Sequence, residues 1–347
     1  MERTFRTAVI AILAVLALGI AACGGDDDDN GGGGGGSSTT EGKAIKVGVV
    51  TDIGGLNDRS FNHLANVGFL RAKRKLGVDG RVLISKSNGD YVPNLTTLAQ
   101  QRYDLIVPIG FLMADATNTV ASKITTSDFA IVDFSATALK SKPKNVQGLL
   151  FKEQEAGYLV GYLAGLYAKD NNVDTISSVG GQKIPPVDHY IAGYQAGAKA
   201  ANPSIKTLNG YSQDFVDQAK CKEIALDQIA KGSGVVFQVA GQCGLGALDA
   251  AKEKGVQGIG VDADQSYLGP HILTSALKKV DVAVFDAIKR AQDGTFQGGT
   301  DVIATVKNGG VGIGTIGPQG VKYADQIKEI EDKIASGEIS DIPDTVK

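Results

Sequence analysis

Aspartate and glycine residues stand at the ends of several apolar segments in this 347-residue chain. Asp52, Asp133 and Asp262 each close a segment rich in Val and Ile, and Gly241 closes another. Buried parallel strands have this composition, and ligands of α/β sheets bind at the carboxyl ends of the strands. A carboxylate there accepts hydrogen bonds from hydroxyl groups, while a glycine lets a ligand approach the backbone. The pattern therefore predicts a binding site for a small polar ligand.

The evidence for the individual aspartates differs. Asp52 has an alternative role as a turn residue. A buried carboxylate without a partner is costly, which favours a contact between Asp133 and a polar edge of the ligand. Asp262 would accept hydrogen bonds from ligand hydroxyl groups, whereas Asp264 is expected to face solvent.

Neighbouring positions extend the predicted site. Phe111 follows a further strand, and Gln242 would offer a backbone or side-chain amide to the ligand. Asn57 and Asp58 stand at the start of a predicted helix, where one of them can cap its free N–H groups while the other reaches the ligand.

Motifs of common enzyme classes are missing from the sequence. It contains no G-x-S-x-G nucleophile elbow, no Walker A motif and no cluster of metal ligands. The segment GVGIG at 311–315 has only part of a dinucleotide-binding fingerprint. His189 and His271 stand apart from other acid–base residues, so no general-base arrangement is evident. We therefore expect a binding protein without enzymatic activity, cofactor or metal.

The charge distribution argues against a nucleic-acid-binding protein. The net formal charge is −3 at pH 7, and residues 1–29 carry all of it. The rest of the chain is balanced in charge, whereas nucleic-acid binding requires a basic face. We therefore expect no nucleic-acid partner.

The N-terminus has the features of a lipoprotein signal. Two arginines precede an apolar segment, 8–22, that is too short to predict a membrane span. It ends in IAACG, which resembles a bacterial lipobox with Cys23 as the lipidated residue; an ordinary secretory signal is the alternative. Residues 1–22 would be the signal peptide and 23–42 a flexible tether rich in Gly and Asp. The predicted location is the extracytoplasmic face of the cell membrane.

Cys221 and Cys243 would also lie outside the cytoplasm. That compartment permits a disulfide between them, but two buried free thiols fit the sequence equally well. The sequence leaves both alternatives open.

Strand-like and helix-like segments alternate along the body of the chain, which predicts parallel sheets with helices on both faces. The rhythm restarts with a helix at 153. We therefore expect two doubly wound α/β lobes of similar size, joined by a hinge near residue 150 and facing each other across a cleft. The predicted strands are 44–50, 81–85, 104–110, 129–135, 174–181, 204–211, 234–241, 256–262, 271–277 and 301–306.

Six segments in order resemble the basic membrane protein lipoproteins, the nucleoside-binding components of ABC importers. They are VTDIGGLNDRSFN (50–62), YDLIVPIGFLMADA (103–116), FKEQEAGYLVGYLAG (151–165), FQVAGQCGLGALDAAKEKG (237–255), IGVDADQ (259–265) and LTSALKKVDVAVFDAIK (273–289). The resemblance implies a type I periplasmic-binding fold with three hinge crossings. It places the first lobe at 43–152 plus about 266–302, and the second at 153–265 plus about 303–347.

The resemblance also bears on individual residues. Lys278 resembles a family lysine near the sugar of the ligand, although Lys279 beside it makes the register ambiguous. Asn66 stands where the family has an aromatic residue that would stack on a base, and an amide cannot provide that stacking. Alternative stacking residues are Phe61, Phe111 and Phe134, with a core role favoured for Phe61.

These features predict a monomeric, lipid-anchored solute-binding protein that delivers a small polar ligand, preferably a nucleoside, to an ABC permease. The departure at residue 66 leaves room for a sugar-like ligand. A ligand-sensing protein that acts on a membrane receptor would have the same fold and is the remaining alternative.

Overall fold

The computed structural model describes residues 43–346, so the predicted signal peptide, the lipidation site and the whole tether lie outside the described residues. Residues 43–346 form two six-stranded sheets flanked by helices, which confirms the predicted α/β architecture. No helix in this part of the chain is long and apolar enough to cross a membrane. The strands are β1 (Lys46–Val50), β2 (Asp79–Leu83), β3 (Leu105–Pro108), β4 (Asp128–Val132), β5 (Val146–Phe151), β6 (Thr175–Gly180), β7 (Lys206–Tyr211), β8 (Ser233–Val239), β9 (Gln257–Asp262), β10 (Ile272–Lys278), β11 (Asp301–Ala304) and β12 (Val311–Ile313). The helices are α1 (Phe61–Leu76), α2 (Tyr91–Gln100), α3 (Ala114–Ala121), α4 (Glu153–Asp170), α5 (Pro185–Ala201), α6 (Gln218–Ala230), α7 (Gly241–Lys254), α8 (Val280–Gln292) and α9 (Ala324–Ser336).

The first sheet is parallel throughout and has the order β11-β5-β4-β3-β1-β2. Its central strands β1, β3 and β4 are buried on both faces, as expected for continuous apolar runs. Because side chains alternate along a strand, Val47 and Val49 belong to the core on the side of α1 and α8, whereas Val50 belongs to the core formed with α2 and α3. This sheet and its helices form the first lobe.

The second sheet has the order β12-β10-β9-β8-β6-β7, with β12 antiparallel to β10 and the other pairs parallel. Helices α4 and α5 pack closely because glycines stand at their contact. A Cβ at Gly161 would lie 2.0 Å from the carbonyl oxygen of Tyr194, and a Cβ at Gly197 would lie 2.1 Å from that of Tyr158. Helices α6 and α7 share a core with the strands of this sheet. The second sheet, these helices and α9 form the second lobe.

The chain passes between the lobes three times, in agreement with the resemblance. It crosses from β5 to α4 at Lys152, from β10 to α8 at Lys279, and from β11 to β12 through 305–310. The expectation that the chain returns to the first lobe near residue 266 is wrong, because β10 pairs in parallel with β9 in the second sheet. Only α8 and β11 return to the first lobe, where β11 pairs with β5.

Two of the strands were not predicted from the sequence. The apolar run of β5 is too short to predict a strand, and β12 lies within the incomplete dinucleotide motif at 311–315. A three-residue edge strand has too few residues for a periodic pattern. Its pairing with β10 is therefore a consequence of the tertiary structure.

The second lobe contains a disulfide. Cys221 on α6 and Cys243 on α7 are bonded, with their Cα atoms 5.5 Å apart. Both residues are buried in the small apolar core between these helices and the sheet. Of the two alternatives that the sequence left open, the structure has the disulfide.

Removal of this disulfide is expected to destabilise the protein. The two cysteines are 22 positions apart, and a cross-link of that span restricts the unfolded chain. We expect the Cys221→Ala/Cys243→Ala variant to lose about 3 kcal/mol of free energy of unfolding. Urea unfolding of the variant and of reduced wild-type protein would measure this loss. Alkylation of both thiols in the folded, non-reduced protein, detected by mass spectrometry, would contradict the disulfide.

Candidate ligand-binding site between the two lobes

A cavity lies between the two lobes, at the carboxyl ends of the parallel strands of both sheets. The space among its lining residues is about 630 Å³, a figure that includes open solvent at its mouth. The predicted site residues that line it are Asp52, Asp58, Phe111, Asp133, Gly241, Gln242, Asp262 and Lys278. The fold thus brings these eight side chains or backbones together, and their role in binding remains a prediction.

The structure places two predicted site residues elsewhere. Asn57 is exposed in a short turn, and Asn66 is half-buried on α1; neither lines the cavity. Conversely, Tyr190 and Phe215 line the cavity without having been predicted. Phe215 lies in the loop that follows β7, so the strand-end rule applied to the predicted strand 204–211 would have indicated it.

Lys278 and Asp133 form an ion pair between the lobes. Lys278 ends β10 of the second sheet, and Asp133 directly follows β4 of the first. The Nζ atom of Lys278 lies 2.7 Å from Asp133 Oδ1 and 2.9 Å from Oε1 of Glu153, the first residue of α4. All three side chains are buried. One ammonium group therefore compensates two buried carboxylates.

The electrostatics of this cluster follow from burial and charge. Burial raises the pKa of Asp133 to about 7; Lys278 opposes this rise and Glu153 adds to it. Burial would lower the pKa of Lys278, but the attraction of Asp133, Glu153 and Asp262 outweighs burial and raises it. Burial would raise the pKa of Glu153, yet Lys278 and the hydrogen-bonded His189 hold it below its usual value. Lys278 therefore stays charged, while Asp133 titrates near neutral pH.

Asp262 makes a second connection between the lobes. It closes β9 with a φ of 61°, a conformation that Asp and Asn tolerate better than most other side chains. Its carboxylate accepts hydrogen bonds from Ser60 Oγ at 2.6 Å and from the Tyr190 hydroxyl at 3.3 Å. Ser60 precedes α1 in the first lobe. Burial raises the pKa of Asp262, and both Lys278 and Ser60 oppose this rise.

Asp58 caps α1. Its carboxylate accepts hydrogen bonds from the backbone N–H groups of Ser60, Asn62 and His63 at 3.1, 2.7 and 3.0 Å. These groups would otherwise lack an acceptor at the start of the helix. The capping alternative for Asp58 is therefore realised, and the same residue also lines the cavity.

Asp52 is held by its own neighbours in the first lobe. It accepts hydrogen bonds from the Tyr91 hydroxyl and from the backbone N–H of Ile53, the latter at 2.7 Å. Burial raises its pKa to about 6 despite these two hydrogen bonds. Asp52 therefore lines the cavity as a carboxyl group whose charge is lost in mildly acidic solution.

Aromatic side chains line the cavity from both lobes. Phe61 and Phe111 belong to the first lobe and Phe215 to the second. Phe134 packs on Phe111, with ring centroids 5.2 Å apart, but does not itself line the cavity. The Phe215 ring lies against Gly181, where a Cβ would come within 2.2 Å of it. Phe61 packs on the core as expected and also lines the cavity.

The N-terminus of α7 opens onto the same cavity. Gly241 is the first residue of the helix and has a φ of 55°, and Gln242 follows it. The N–H group of Cys243 donates to the carbonyl oxygen of Phe215 at 3.1 Å, whereas those of Gly241 and Gln242 have no acceptor within the helix and are available to oxygen atoms of a ligand. Residues 43–346 contain no cluster of His, Cys, Asp or Glu side chains that would hold a metal ion.

The position of Asn66 reverses an expectation from the sequence. Because Asn66 lies outside the cavity lining, we expect that an aromatic ring at this position does not reach a base. We expect Asn66→Phe to leave nucleoside affinity within about twofold of the wild-type value, a change of less than about 0.5 kcal/mol. Titration calorimetry would measure it. A tenfold gain in affinity would instead place residue 66 against the ligand.

Known proteins resemble this chain over most of its length. The family model described as "ABC transporter substrate-binding protein PnrA-like" matches residues 45–345. An ABC transporter nucleoside-binding protein of Lactococcus lactis is 37% identical over 79% of this chain and 84% of its own length. An uncharacterized lipoprotein of Pyrococcus horikoshii is 38% identical over 88% of this chain and 76% of its own length.

A solved structure agrees with these relatives. An ABC transporter solute-binding protein from Aeropyrum pernix superimposes with a TM-score of 0.77, is 30% identical, and matches 86% of this chain and 94% of its own. The family model, the Lactococcus lactis relative and the solved structure all describe binding proteins of ABC transporters rather than enzymes. This chain therefore belongs to the Bmp family of PnrA-like ABC transporter substrate-binding proteins.

Proposed function

We propose that this protein binds a nucleoside in the cavity between its lobes and delivers it to an ABC permease. The observation that carries the proposal is that aromatic rings and buried carboxylates from both lobes share one cavity. A nucleoside combines a flat base, polar edge groups and sugar hydroxyls, which match these two kinds of side chain. The name of the Lactococcus lactis relative, a nucleoside-binding protein, supports this ligand class.

The lining residues divide between the parts of a nucleoside. Phe61 and Phe215, which line the cavity, would stack on the base, and the carboxyl group of Asp133 would form hydrogen bonds with its polar edge. Asp262 accepts hydrogen bonds from the sugar hydroxyls, and Lys278 donates one to an oxygen of the ligand. The free N–H groups of α7 would complete the contacts.

Binding would favour the arrangement in which the lobes are closed. The lobe-spanning contacts Lys278–Asp133 and Ser60–Asp262 exist only when the two sheets lie close together. A ligand that contacts both lobes shifts the equilibrium between open and closed forms by its difference in affinity for the two. The closed form then presents the ligand to the permease.

We also propose that lipidation at Cys23 anchors the protein to the extracytoplasmic face of the membrane. Relatives that are themselves named lipoproteins support this anchor. The wild-type protein should incorporate a labelled fatty acid in cells, and Cys23→Ala should not. Equal labelling of the two proteins, or no labelling of either, would contradict lipidation at Cys23.

Isothermal titration calorimetry tests the ligand. The full chain, purified in detergent, is first unfolded in urea without reductant and refolded, so that carried-over ligand is removed. It is then titrated with adenosine, guanosine, inosine, uridine, cytidine, ribose and the free bases. Binding of nucleosides but not ribose supports the proposal. Binding of ribose alone would replace the nucleoside by a sugar, and no binding at all would contradict the ligand class.

A variant of Phe215 tests the same assignment of a nucleoside as the ligand. We expect Phe215→Ala to weaken nucleoside binding about tenfold or more, because stacking between a base and an aromatic ring contributes about 1–3 kcal/mol. Tyr267→Ala is the matched control, since Tyr267 is an exposed aromatic residue outside the cavity lining. Equal affinities of the two variants would remove Phe215 from the binding residues.

A further inference from the structure

Glu153 and His189 lie behind Lys278 and do not line the cavity. Glu153 is buried, and its two carboxylate oxygens have different partners. Oε1 accepts a hydrogen bond from Lys278 Nζ at 2.9 Å, whereas Oε2 lies 3.1 Å from His189 Nδ1. The His189 side chain is 29% exposed, so it connects this buried cluster to solvent. His189 stands apart from other acid–base residues in the sequence, but in the structure it contacts Glu153.

The surroundings of Lys278 make its position dependent on these carboxylates. Its Nζ atom lies 4.8 Å from the centroid of the Phe151 ring and 5.2 Å from that of Phe61, and the side chain is 2% exposed. A buried ammonium group without anionic partners is strongly unfavourable. Glu153 follows the first crossing between the lobes and Lys278 precedes the second, so their hydrogen bond joins the two crossings.

We propose that Glu153 is a positioning residue that holds the ammonium group of Lys278 at the junction of the lobes, and that His189 acts on ligand affinity through Glu153. The affinity readout of this inference rests on the proposed nucleoside function. Asp133 reaches Lys278 from the first lobe only when the lobes are closed, whereas Glu153 holds Lys278 from within the second lobe. Glu153 thereby keeps Lys278 in place for both Asp133 and the ligand.

His189 faces charged groups from three elements. They are Glu153 on α4, Lys278 on β10 and Asp344 in the C-terminal segment. Burial lowers the pKa of His189, but the hydrogen bond and charge of Glu153 outweigh burial and raise it. Closure brings Asp133 to a cluster that already contains Glu153. A protonated His189 offsets this added negative charge, so affinity should fall as the pH rises through the titration of His189.

The experiment compares the pH dependence of nucleoside binding in matched variants. Dissociation constants are measured between pH 5.5 and 8.5 for wild type, His189→Gln and Glu153→Gln. His63→Gln is the control, because His63 is exposed on α1. We expect the affinity of wild type to change over this pH range by about three- to tenfold more than that of His189→Gln, because only wild type has the titrating imidazole. Parallel profiles for wild type and His189→Gln would overturn the role of His189.

Glu153→Gln should bind about tenfold more weakly than wild type and should have the flattened profile of His189→Gln. Glu153→Asp, which keeps the charge, should recover part of the lost affinity. Glu153→Gln with wild-type affinity would overturn the positioning role. If this variant does not fold, the profile of His189→Gln decides.

A ligand-free measurement separates the inference from the proposed function. The imidazole of His189 is titrated by NMR in wild type and in Glu153→Gln, without any nucleoside. We expect the pKa of His189 to fall in the variant because its anionic partner is gone. An unchanged titration would overturn the inference, even where nucleosides bind. A lower pKa of His189 in the variant supports the inference, even where calorimetry detects no binding of any nucleoside.

Discussion

Replacement of Lys278 by Met should lower the free energy of unfolding by about 3–5 kcal/mol at pH 8, because it leaves buried carboxylates without their cation. Met retains most of the volume of the lysine stem, so the loss reports the charge rather than a cavity. Asp133 and Glu153 are the two carboxylates that lie within ion-pair distance of Lys278. Urea unfolding followed by circular dichroism would measure the loss.

The pH dependence of this variant has a definite sign. Burial already raises the pKa of Asp133 to about 7, and Lys278 opposes the rise, so removal of Lys278 should raise this pKa further. A carboxyl group whose pKa is higher in the folded than in the unfolded protein contributes to stability at a pH below its unfolded-state pKa. This contribution is lost as the pH rises through its folded-state pKa. The loss of free energy of unfolding caused by Lys278→Met should therefore be smaller at pH 5 than at pH 8.

Lys279→Met is the matched control. Lys279 is the next residue, and its side chain makes no ion pair within residues 43–346. We expect the free energy of unfolding of this variant to lie within about 0.5 kcal/mol of the wild-type value. Equal stabilities of the two variants would contradict a buried cluster centred on Lys278, and would restore the ambiguity between the two lysines that the sequence left.

The variant Asp262→Asn should bind nucleosides about 100-fold more weakly than wild type while it remains folded. Asn tolerates the positive φ at this position, and its amide oxygen can still accept a hydrogen bond from Ser60. The substitution removes the charge that would accept hydrogen bonds from sugar hydroxyls, and hydrogen bonds to charged groups contribute about 1.5–3 kcal/mol. Calorimetry with the best-binding nucleoside of the panel would measure the loss.

Asp264→Asn is the corresponding control. The carboxylate of Asp264 accepts hydrogen bonds from the backbone N–H and the hydroxyl of Thr315, and it does not line the cavity. We expect the nucleoside affinity of Asp264→Asn to remain within about twofold of the wild-type value. An affinity for Asp262→Asn as high as that of Asp264→Asn would contradict the sugar-binding role. The Asp262→Ala variant would then show whether any polar group is needed at this position.

The sequence alone is sufficient to predict those features that depend on local patterns repeated along the chain. Apolar runs of strand length identified ten of the strand regions, because a buried parallel strand is apolar on both faces. Asp52, Asp133 and Asp262 follow such runs, so the strand-end rule placed them at one edge of each sheet. The resemblance of six ordered segments then indicated the family that the comparisons confirm.

Errors arose where a residue's role depends on its neighbours in space. Asn66 was assigned to the site by analogy with a motif, but the helix carries it outside the cavity lining. The segment 266–278 was assigned to the first lobe, whereas β10 pairs with β9 in the second. Which sheet accepts a strand depends on the partner edge available to it, and local composition carries no information about that edge.

The sequence alone therefore determined the α/β class, the approximate strand ends, the family and most of the polar residues of the cavity. Only the tertiary structure decided that Lys278, Asp133, Glu153 and His189 form one cluster, and that Cys221 and Cys243 are bonded. The physical reason is distance along the chain. Lys278 is 125 positions from Glu153, and contacts of such range depend on how the two lobes fold and close rather than on any local pattern of residues.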